Sequence, residues 1–145
     1  MPFFILAFAV VATSAWAQDE GGKKDVEFLG RSDNYPFSEA VRVGNLLFLS
    51  GQIGYDMETA SLVEGGIQAE TRKTLDNIKA TLAKYDATMD DVVKCTVMLA
   101  DIAEWPAMNE VYATYFPNNK PARSAFAGSG LALGARVEIE CTAVL

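Results

Sequence analysis

The 145-residue sequence contains no histidine. That absence excludes the Ser-His-Asp and Cys-His arrangements of nucleophilic catalysis, and it excludes zinc sites built on histidine. Ser50 and Ser124 have no histidine to act as a general base, so we expect neither to be a nucleophile. The glycine-rich run 128–130 is not followed by Gly-Lys-Ser/Thr, which excludes a phosphate-binding loop and favours a turn or bulge.

Positive charge is scarce. The chain has 12 Lys and Arg residues against 19 Asp and Glu residues, a formal net charge of −7. Its one pair of adjacent lysines, Lys23 and Lys24, lies in a polar segment near the start. Nucleic-acid binding depends on clustered Lys and Arg, so the sequence argues against a nucleic-acid partner and against a nuclease role.

Only two cysteines are present, Cys95 in VVKCTVML and Cys141 in VEIECTAVL. Both lie in apolar, strand-like segments, where a cysteine commonly serves as a small buried hydrophobic residue. In an exported protein the two could instead form a disulfide. The sequence leaves both interpretations open, since each depends on the order of the strands.

A long uncharged segment occurs only at residues 1–17, and it ends in Ala15-Trp16-Ala17. An apolar stretch followed by an A-x-A sequence is typical of a cleaved signal peptide, and it is too short to remain as a membrane-spanning helix. A buried core helix is the structural alternative. We expect residues 1–17 to be a signal peptide, 18–25 a flexible polar tail and 26–145 one domain, exported to a compartment such as the bacterial periplasm.

The spacing of apolar residues predicts an α+β domain with a single mixed sheet and both helices on one face. Apolar residues recur every three or four positions over 67–85 and 105–116, which predicts two helices. Gly44-Asn45 predicts a tight turn between two strands, and residues 56–66 read as a loop. The predicted strands are 25–30, the two around that turn (38–55), 92–102, 122–128 and 136–145.

The strand Leu46–Leu49 is apolar on both of its faces. Two helices can cover only one face of the sheet, so the other would leave a large apolar surface in contact with water. We therefore expect the chain to associate with copies of itself through the open face.

The last predicted strand alternates apolar residues with Glu138, Glu140 and Thr142. The apolar set suits the helix-covered core, which places the carboxylates on the open face. Arg123 lies in the preceding predicted strand, which could pair with this one. Its guanidinium could form a structural ion pair with Glu138 or Glu140, or it could bind the carboxylate of a small ligand. From the spacing alone, the ion pair is the simpler interpretation.

Six segments of the chain together resemble the Rid family, the YjgF-like reactive intermediate deaminases. In order, they are NYPFSEAVRVGNLLFLSGQIG, ETRKTLDNIKATLA, DDVVKCTVMLADI, NEVYATYF, PARSAF and ARVEIECTAV. The resemblance covers residues 26–145. It implies a fold like that of trimeric chorismate mutase, with three subunits packed sheet-inward and a ligand cleft at each subunit interface.

The resemblance also implies an activity and a site. Family deaminases hydrolyse 2-imino acids, or their enamine tautomers, to 2-oxo acids and ammonia without a cofactor or metal. Arg123 would bind the substrate carboxylate, and Glu138 would position the attacking water and assist proton transfer. Further residues implied to line the cleft are Phe37, Ser50, Asn109, Ser124 and the backbone around Ala125.

The chain departs from the family pattern at Phe37, where many active members have tyrosine. A hydroxyl contact to substrate or water is therefore missing. The alternative function is a non-catalytic trimeric module that binds a small carboxylate in the same cleft.

Overall fold

The computed structural model describes residues 25–145. The predicted signal peptide, and the predicted polar tail except for Asp25, lie outside the described residues and remain predictions. In the part of the chain that is described, no helix is both long enough and apolar enough to cross a membrane.

Along residues 25–145, six strands precede the first α-helix, one strand separates it from the second, and two strands follow; short 3₁₀ turns lie at 89–91, 102–104 and 132–134. The elements are β1 (Val26–Leu29), β2 (Ala40–Val43), β3 (Leu46–Leu49), β4 (Gln52–Ile53), β5 (Tyr55–Asp56), β6 (Ser61–Leu62), α1 (Gly66–Lys84), β7 (Val92–Leu99), α2 (Trp105–Tyr115), β8 (Ala122–Ala127) and β9 (Val137–Val144).

The main sheet has the strand order β1-β2-β3-β9-β7-β8, and β4 also pairs with β9. Strands β7 and β8 run parallel and are joined through α2, as parallel neighbours require. The other pairs are antiparallel. Buried residues of both helices form one core with one face of the sheet. The predicted α+β class, with one mixed sheet and two helices, is confirmed.

Two details of the sheet differ from the prediction. The segment 56–66 contains part of a small hairpin, β5 paired with β6, whose two-residue strands are too short to show periodicity. The strand predicted after Gly44-Asn45 is interrupted at Ser50 and Gly51, so that β3 and β4 both pair with β9. The turn at Gly44-Asn45 is confirmed, and Gly44 has a φ of 59° that favours glycine.

Strand β9 alternates between the two faces as predicted. Val137, Ile139, Cys141 and Ala143 are buried in the core, whereas Glu140 is exposed on the open face. Leu145 was predicted to join the core set but is 41% exposed. It lies one residue beyond the end of β9.

Cys95 of β7 lies directly opposite Cys141 of β9, and the two form a disulfide. Both are buried on the face of the sheet that meets the helices. The structure therefore decides between the two interpretations that the sequence left open.

The open face carries exposed aromatic residues. Phe28, Phe48 and Phe126 are 60%, 43% and 50% exposed in the single chain. Phe48 belongs to the strand that is apolar on both faces, and its open-face side chain has no cover within the described residues. The apolar face thus exists as predicted, and the assembly that would bury it remains a prediction.

Candidate active site

Arg123 lies on β8, at the edge of the sheet, and its side chain packs against aromatic rings of α2. The guanidinium carbon is 4.5 Å from the centre of the Tyr112 ring and 5.5 Å from that of Trp105. Both distances are in the range of cation–π attraction. Burial raises the pKa of Tyr112 to about 12, although the charge of Arg123 acts in the opposite direction. The rings hold the guanidinium while leaving its N–H groups available.

Asn109 lies on the same side of α2 as these two rings. Residues 105, 109 and 112 are separated by four and three positions, which places them on one helix face. Asn109 is half-buried there. The helix spacing thus places Asn109 beside the rings that hold Arg123, and its role in lining the cleft stays a prediction.

Glu138 lies on the open face of β9, and its carboxylate packs directly against the α-carbon of Gly51. A β-carbon at position 51 would overlap the carboxylate oxygen Oε1 of Glu138. The glycine interrupts the strand between β3 and β4, and this interruption provides the space for the carboxylate. Glu138 is half-buried and has no cationic partner among the described residues.

Arg123 and Glu138 lie on opposite faces of the sheet in one chain. In the strand registers, Arg123 pairs with Cys95, which pairs with Cys141 on the helix-covered face. Glu138 is an odd number of positions from Cys141, so it points to the other face. The suggested pairing of the Arg123 strand with β9 is wrong, because β7 lies between them. The ion pair of Arg123 with Glu138 or Glu140 is likewise absent from the described residues.

Phe37 and Ser50 line one open cleft of about 970 Å³. The Ser50 hydroxyl donates a hydrogen bond to the carbonyl of Ser38 over 2.6 Å, which fixes the wall of the cleft. Ser50 directly precedes Gly51, so the wall of the cleft is next in sequence to the glycine that packs against the Glu138 carboxylate.

Ser124 and Ala125 follow Arg123 on β8 and alternate between the faces of the sheet. Ala125 pairs with the buried Val97 and packs against the core on the same side as Arg123. The Ser124 hydroxyl points to the opposite side and accepts a hydrogen bond from the Lys94 Nζ over 3.0 Å. The structure therefore groups Ala125 with Arg123, and it separates the Ser124 side chain from both.

The predicted site residues fall into two groups. We call Arg123, Asn109 and Ala125, with the rings of Trp105 and Tyr112, the arginine half-site. We call Glu138, Ser50 and Phe37, with Gly51, the glutamate half-site. Within residues 25–145, no three Cys, Asp or Glu side chains are clustered to hold a metal ion.

The profile of the family described as Endoribonuclease L-PSP matches residues 32–145. The chain belongs to this family, which is the Rid family. It is 44% identical over 108 residues to a RutC family protein of Pyrococcus abyssi, covering 74% of this chain and 85% of that one. It is 41% identical over 109 residues to the human 2-iminobutanoate/2-iminopropanoate deaminase, covering 75% and 80% of the two chains.

Solved structures of the Rid family share the fold. RidA from an Antarctic Psychrobacter superposes with a TM-score of 0.74 at 33% identity, covering 86% of this chain and 99% of that one. Escherichia coli TdcF, solved with bound serine, gives a TM-score of 0.73 at 30% identity, covering 77% and 89%.

Sequence reasoning missed the aromatic support of Arg123 and the role of Gly51. The apolar pattern that predicts the helix at 105–116 includes Trp105, which is nevertheless 37% exposed because it lies at the start of α2. The spacing of Trp105, Asn109 and Tyr112 was a usable signal, since it places an amide between two rings on one helix face. Gly51 gave no signal, because the sequence does not show which side chain approaches it.

Proposed function

We propose that the protein hydrolyses 2-imino acids and their enamine tautomers to 2-oxo acids and ammonia, without a cofactor, at clefts between copies of the chain in a homotrimer. Support comes from its identity of about 41% to relatives named 2-iminobutanoate/2-iminopropanoate deaminase. The observation that carries the proposal is the arginine half-site. It holds a guanidinium against two rings, and no carboxylate of the described residues pairs with it.

Arg123 binds the substrate carboxylate in this proposal. A guanidinium offers parallel N–H donors that match both oxygens of a carboxylate. The Tyr112 and Trp105 rings limit its movement, so less conformational entropy is lost when the ligand binds. The amide of Asn109, on the same helix face, is placed to hydrogen-bond the same ligand.

Glu138 acts on water. Its carboxylate accepts a proton from a water molecule as the water oxygen bonds to the imine carbon, and the C=N π electrons move to nitrogen. With the protonated imine, C=NH2+, this addition gives a neutral carbinolamine. Glu138 returns its proton to the nitrogen, the C–N bond breaks to release ammonia as the carbonyl forms, and the hydroxyl proton passes to the Glu138 carboxylate and then to solvent. Holding the substrate and one water in place supplies most of the required catalysis, because an imine conjugated to a carboxylate is already electrophilic.

A complete site requires two chains. Arg123 and Glu138 of one chain occupy opposite faces of its sheet, so the arginine half-site of one copy must meet the glutamate half-site of another. Phe48 and Phe126 are apolar and exposed on the open face of the single chain, and a second copy packed on that face would remove them from water. A homotrimer packed sheet-inward satisfies both requirements.

We also propose that the protein works outside the cytoplasm. The composition of residues 1–17 supports export, and the Cys95–Cys141 disulfide supports an oxidising compartment. The imines would then be supplied by a reaction that oxidises amino acids in that compartment.

Imine hydrolysis by the mature protein tests the proposal. An amino-acid oxidase generates 2-imino acids in the presence of semicarbazide, and the deaminase competes with trapping and lowers semicarbazone formation. Arg123→Ala and Glu138→Gln should each abolish this competition while the oligomer stays intact. Arg72→Ala on α1 and Glu64→Gln in the loop before α1 are matched controls, since both residues are exposed and outside the two half-sites.

The non-catalytic carboxylate-binding module remains the second candidate, and Phe37 is the observation that favours it. Wild-type protein that binds a 2-oxo acid but never competes with semicarbazide would establish that function instead. Unfolding or dissociation of Arg123→Ala would show that Arg123 serves the structure of the assembly.

A further inference from the structure

The cleft beside the glutamate half-site is walled by apolar side chains. Tyr35 and Phe37 pack together with ring centres 5.4 Å apart and are still 55% and 57% exposed. Phe28, 60% exposed, lines the same cleft. Its full apolar lining comprises Phe28, Tyr35, Pro36, Phe37 and Val41. A volume of about 970 Å³ is far larger than a methyl or ethyl side chain needs.

The charged residues that line the cleft have a net charge of zero. Arg31 and Asp33 both line it and carry opposite charges, and the remaining polar lining consists of the serines 32, 38 and 50. An acidic or basic ligand group would therefore meet a like charge as well as an opposite one. This balance favours a ligand portion that is uncharged and apolar.

The cleft lies next to the carboxylate that acts on water in the proposed function. Ser50 forms part of its wall, and the next residue, Gly51, touches the Glu138 carboxylate. An imine carbon held near Glu138, with its carboxylate directed to an Arg123 of another copy, has one further substituent. That substituent is the side chain of the imino acid, and the cleft is the space beside it.

We propose that the preferred substrates are 2-imino acids with aromatic or other large apolar side chains, and that Phe37 is the residue that selects them. This inference rests on the proposed function. A phenylalanine at this position has no hydroxyl of its own, so an apolar substrate side chain packed against its ring leaves no polar group of that residue without a partner. A substrate ring packed on Phe37 and Tyr35 also gains aromatic contacts that a methyl group cannot make.

Relative rates with different imino acids provide the test. In the semicarbazide assay, the imine of phenylalanine should be hydrolysed with a kcat/KM at least about tenfold above that of alanine. Phe37→Ala should lower the value for phenylalanine by about tenfold more than it lowers the value for alanine. Met57→Ala is the control, because Met57 is a 77% exposed apolar residue outside the cleft.

Binding of the product acids separates this inference from the proposed function. Phenylpyruvate should bind the wild-type oligomer at least about tenfold more tightly than pyruvate, and Phe37→Ala should remove the difference. A protein that hydrolyses both imines at equal rates, or loses both equally in Phe37→Ala, overturns the specificity while keeping the deaminase. Failure to hydrolyse any imine overturns the deaminase function. The Kd values for phenylpyruvate and pyruvate then show whether the cleft still prefers a large apolar side chain. Equal or absent binding of both acids would mean that a partner copy fills the cleft.

Discussion

The guanidinium of Arg123 stacks on the ring of Tyr112, 4.5 Å from its centre, and Trp105 lies against the same guanidinium at 5.5 Å. The anion-binding group of the proposed site is thus held by rings rather than by a carboxylate. A carboxylate partner would compete with the ligand for the same N–H donors, whereas an aromatic face leaves them available.

The Trp105 ring should therefore contribute to ligand affinity without contacting the ligand. Trp105→Leu keeps an apolar side chain and removes the cation–π attraction, so the Kd for a 2-oxo acid should rise about two- to fivefold. Isothermal titration calorimetry measures this change. An unchanged Kd would show that Tyr112 alone holds the guanidinium.

Two inactive variants should restore activity when mixed. Arg123→Ala has an intact glutamate half-site and Glu138→Gln an intact arginine half-site, so co-refolded oligomers contain interfaces with both groups. In a 1:1 mixture about a quarter of the interfaces are complete, and imine hydrolysis should recover to about that fraction of wild type. Each variant refolded alone is the control. Absence of recovery in verified mixed oligomers would place both groups of one site in the same chain.

Gly51 should be required for activity more than for folding. A β-carbon there overlaps the Glu138 carboxylate, which must then move away from its position beside Ser50. Gly51→Ala should lower kcat by about tenfold or more, since small misplacements of catalytic groups are costly, and circular dichroism should remain unchanged. Gly128→Ala is the matched control, because its new β-carbon comes no closer than 3.9 Å to a neighbour. Full activity of Gly51→Ala would remove Glu138 from the chemistry.

The Cys95–Cys141 disulfide should contribute to stability. It joins two adjacent strands at positions separated by 46 residues along the chain, and breaking it frees the unfolded chain. The double variant Cys95→Ala/Cys141→Ala should lose about 2–4 kcal/mol of unfolding free energy, as measured by urea denaturation. Reduction with dithiothreitol should destabilise the wild type and leave the double variant unaffected. Identical denaturation midpoints with and without reductant would contradict the bond.

Glu39 should make stability sensitive to acid. Its carboxylate accepts hydrogen bonds from Lys84 over 2.5 Å and Tyr85 over 2.7 Å, which ties the segment carrying Phe37 to α1. Burial acts to raise the pKa of Glu39, but these partners outweigh it and hold the pKa below the ordinary 4.5. The stabilisation is therefore complete above pH 4.5 and is lost as the pH falls through the lower, folded-state pKa.

Glu39→Gln isolates this contribution. The variant should be less stable than wild type at pH 7 by up to about 1 kcal/mol, a modest value because Lys84 is largely exposed. The difference in stability should shrink as the pH is lowered from 7 to an acidic value below the folded-state pKa of Glu39, where the wild-type carboxylate is protonated. Urea denaturation at both pH values measures the difference. An equal difference in unfolding free energy at both pH values would mean that the charge of Glu39 does not stabilise the fold.

The regular elements could be predicted because their periodicity is local. The helices predicted at 67–85 and 105–116 are Gly66–Lys84 and Trp105–Tyr115 in the structure. The strand order could not be obtained in this way. Whether β8 pairs with β9 or β7 depends on how α2 crosses the sheet, and the spacing of Arg123 and Glu138 carries no information on that crossing.

For the candidate site, too, the residues could be predicted from the sequence but their arrangement in space could not. Residue types and the family resemblance named Arg123, Asn109, Glu138, Ser50 and Phe37, but they did not show that one chain separates the first two from the others. Face assignment follows from register, and register is set by pairing across the whole sheet. Gly51 and Trp105 were missed because their importance lies in what approaches them in space.

Arg123 and Glu138 lie on opposite faces of one sheet, so the proposed site between two chains makes the number of complete sites depend on protein concentration. In the proposed assembly, a chain diluted below the dissociation constant of the oligomer keeps both groups and has no site. Specific activity should then fall with dilution at constant substrate. The amount of protein that a cell makes would therefore set the activity of each chain as well as the number of chains.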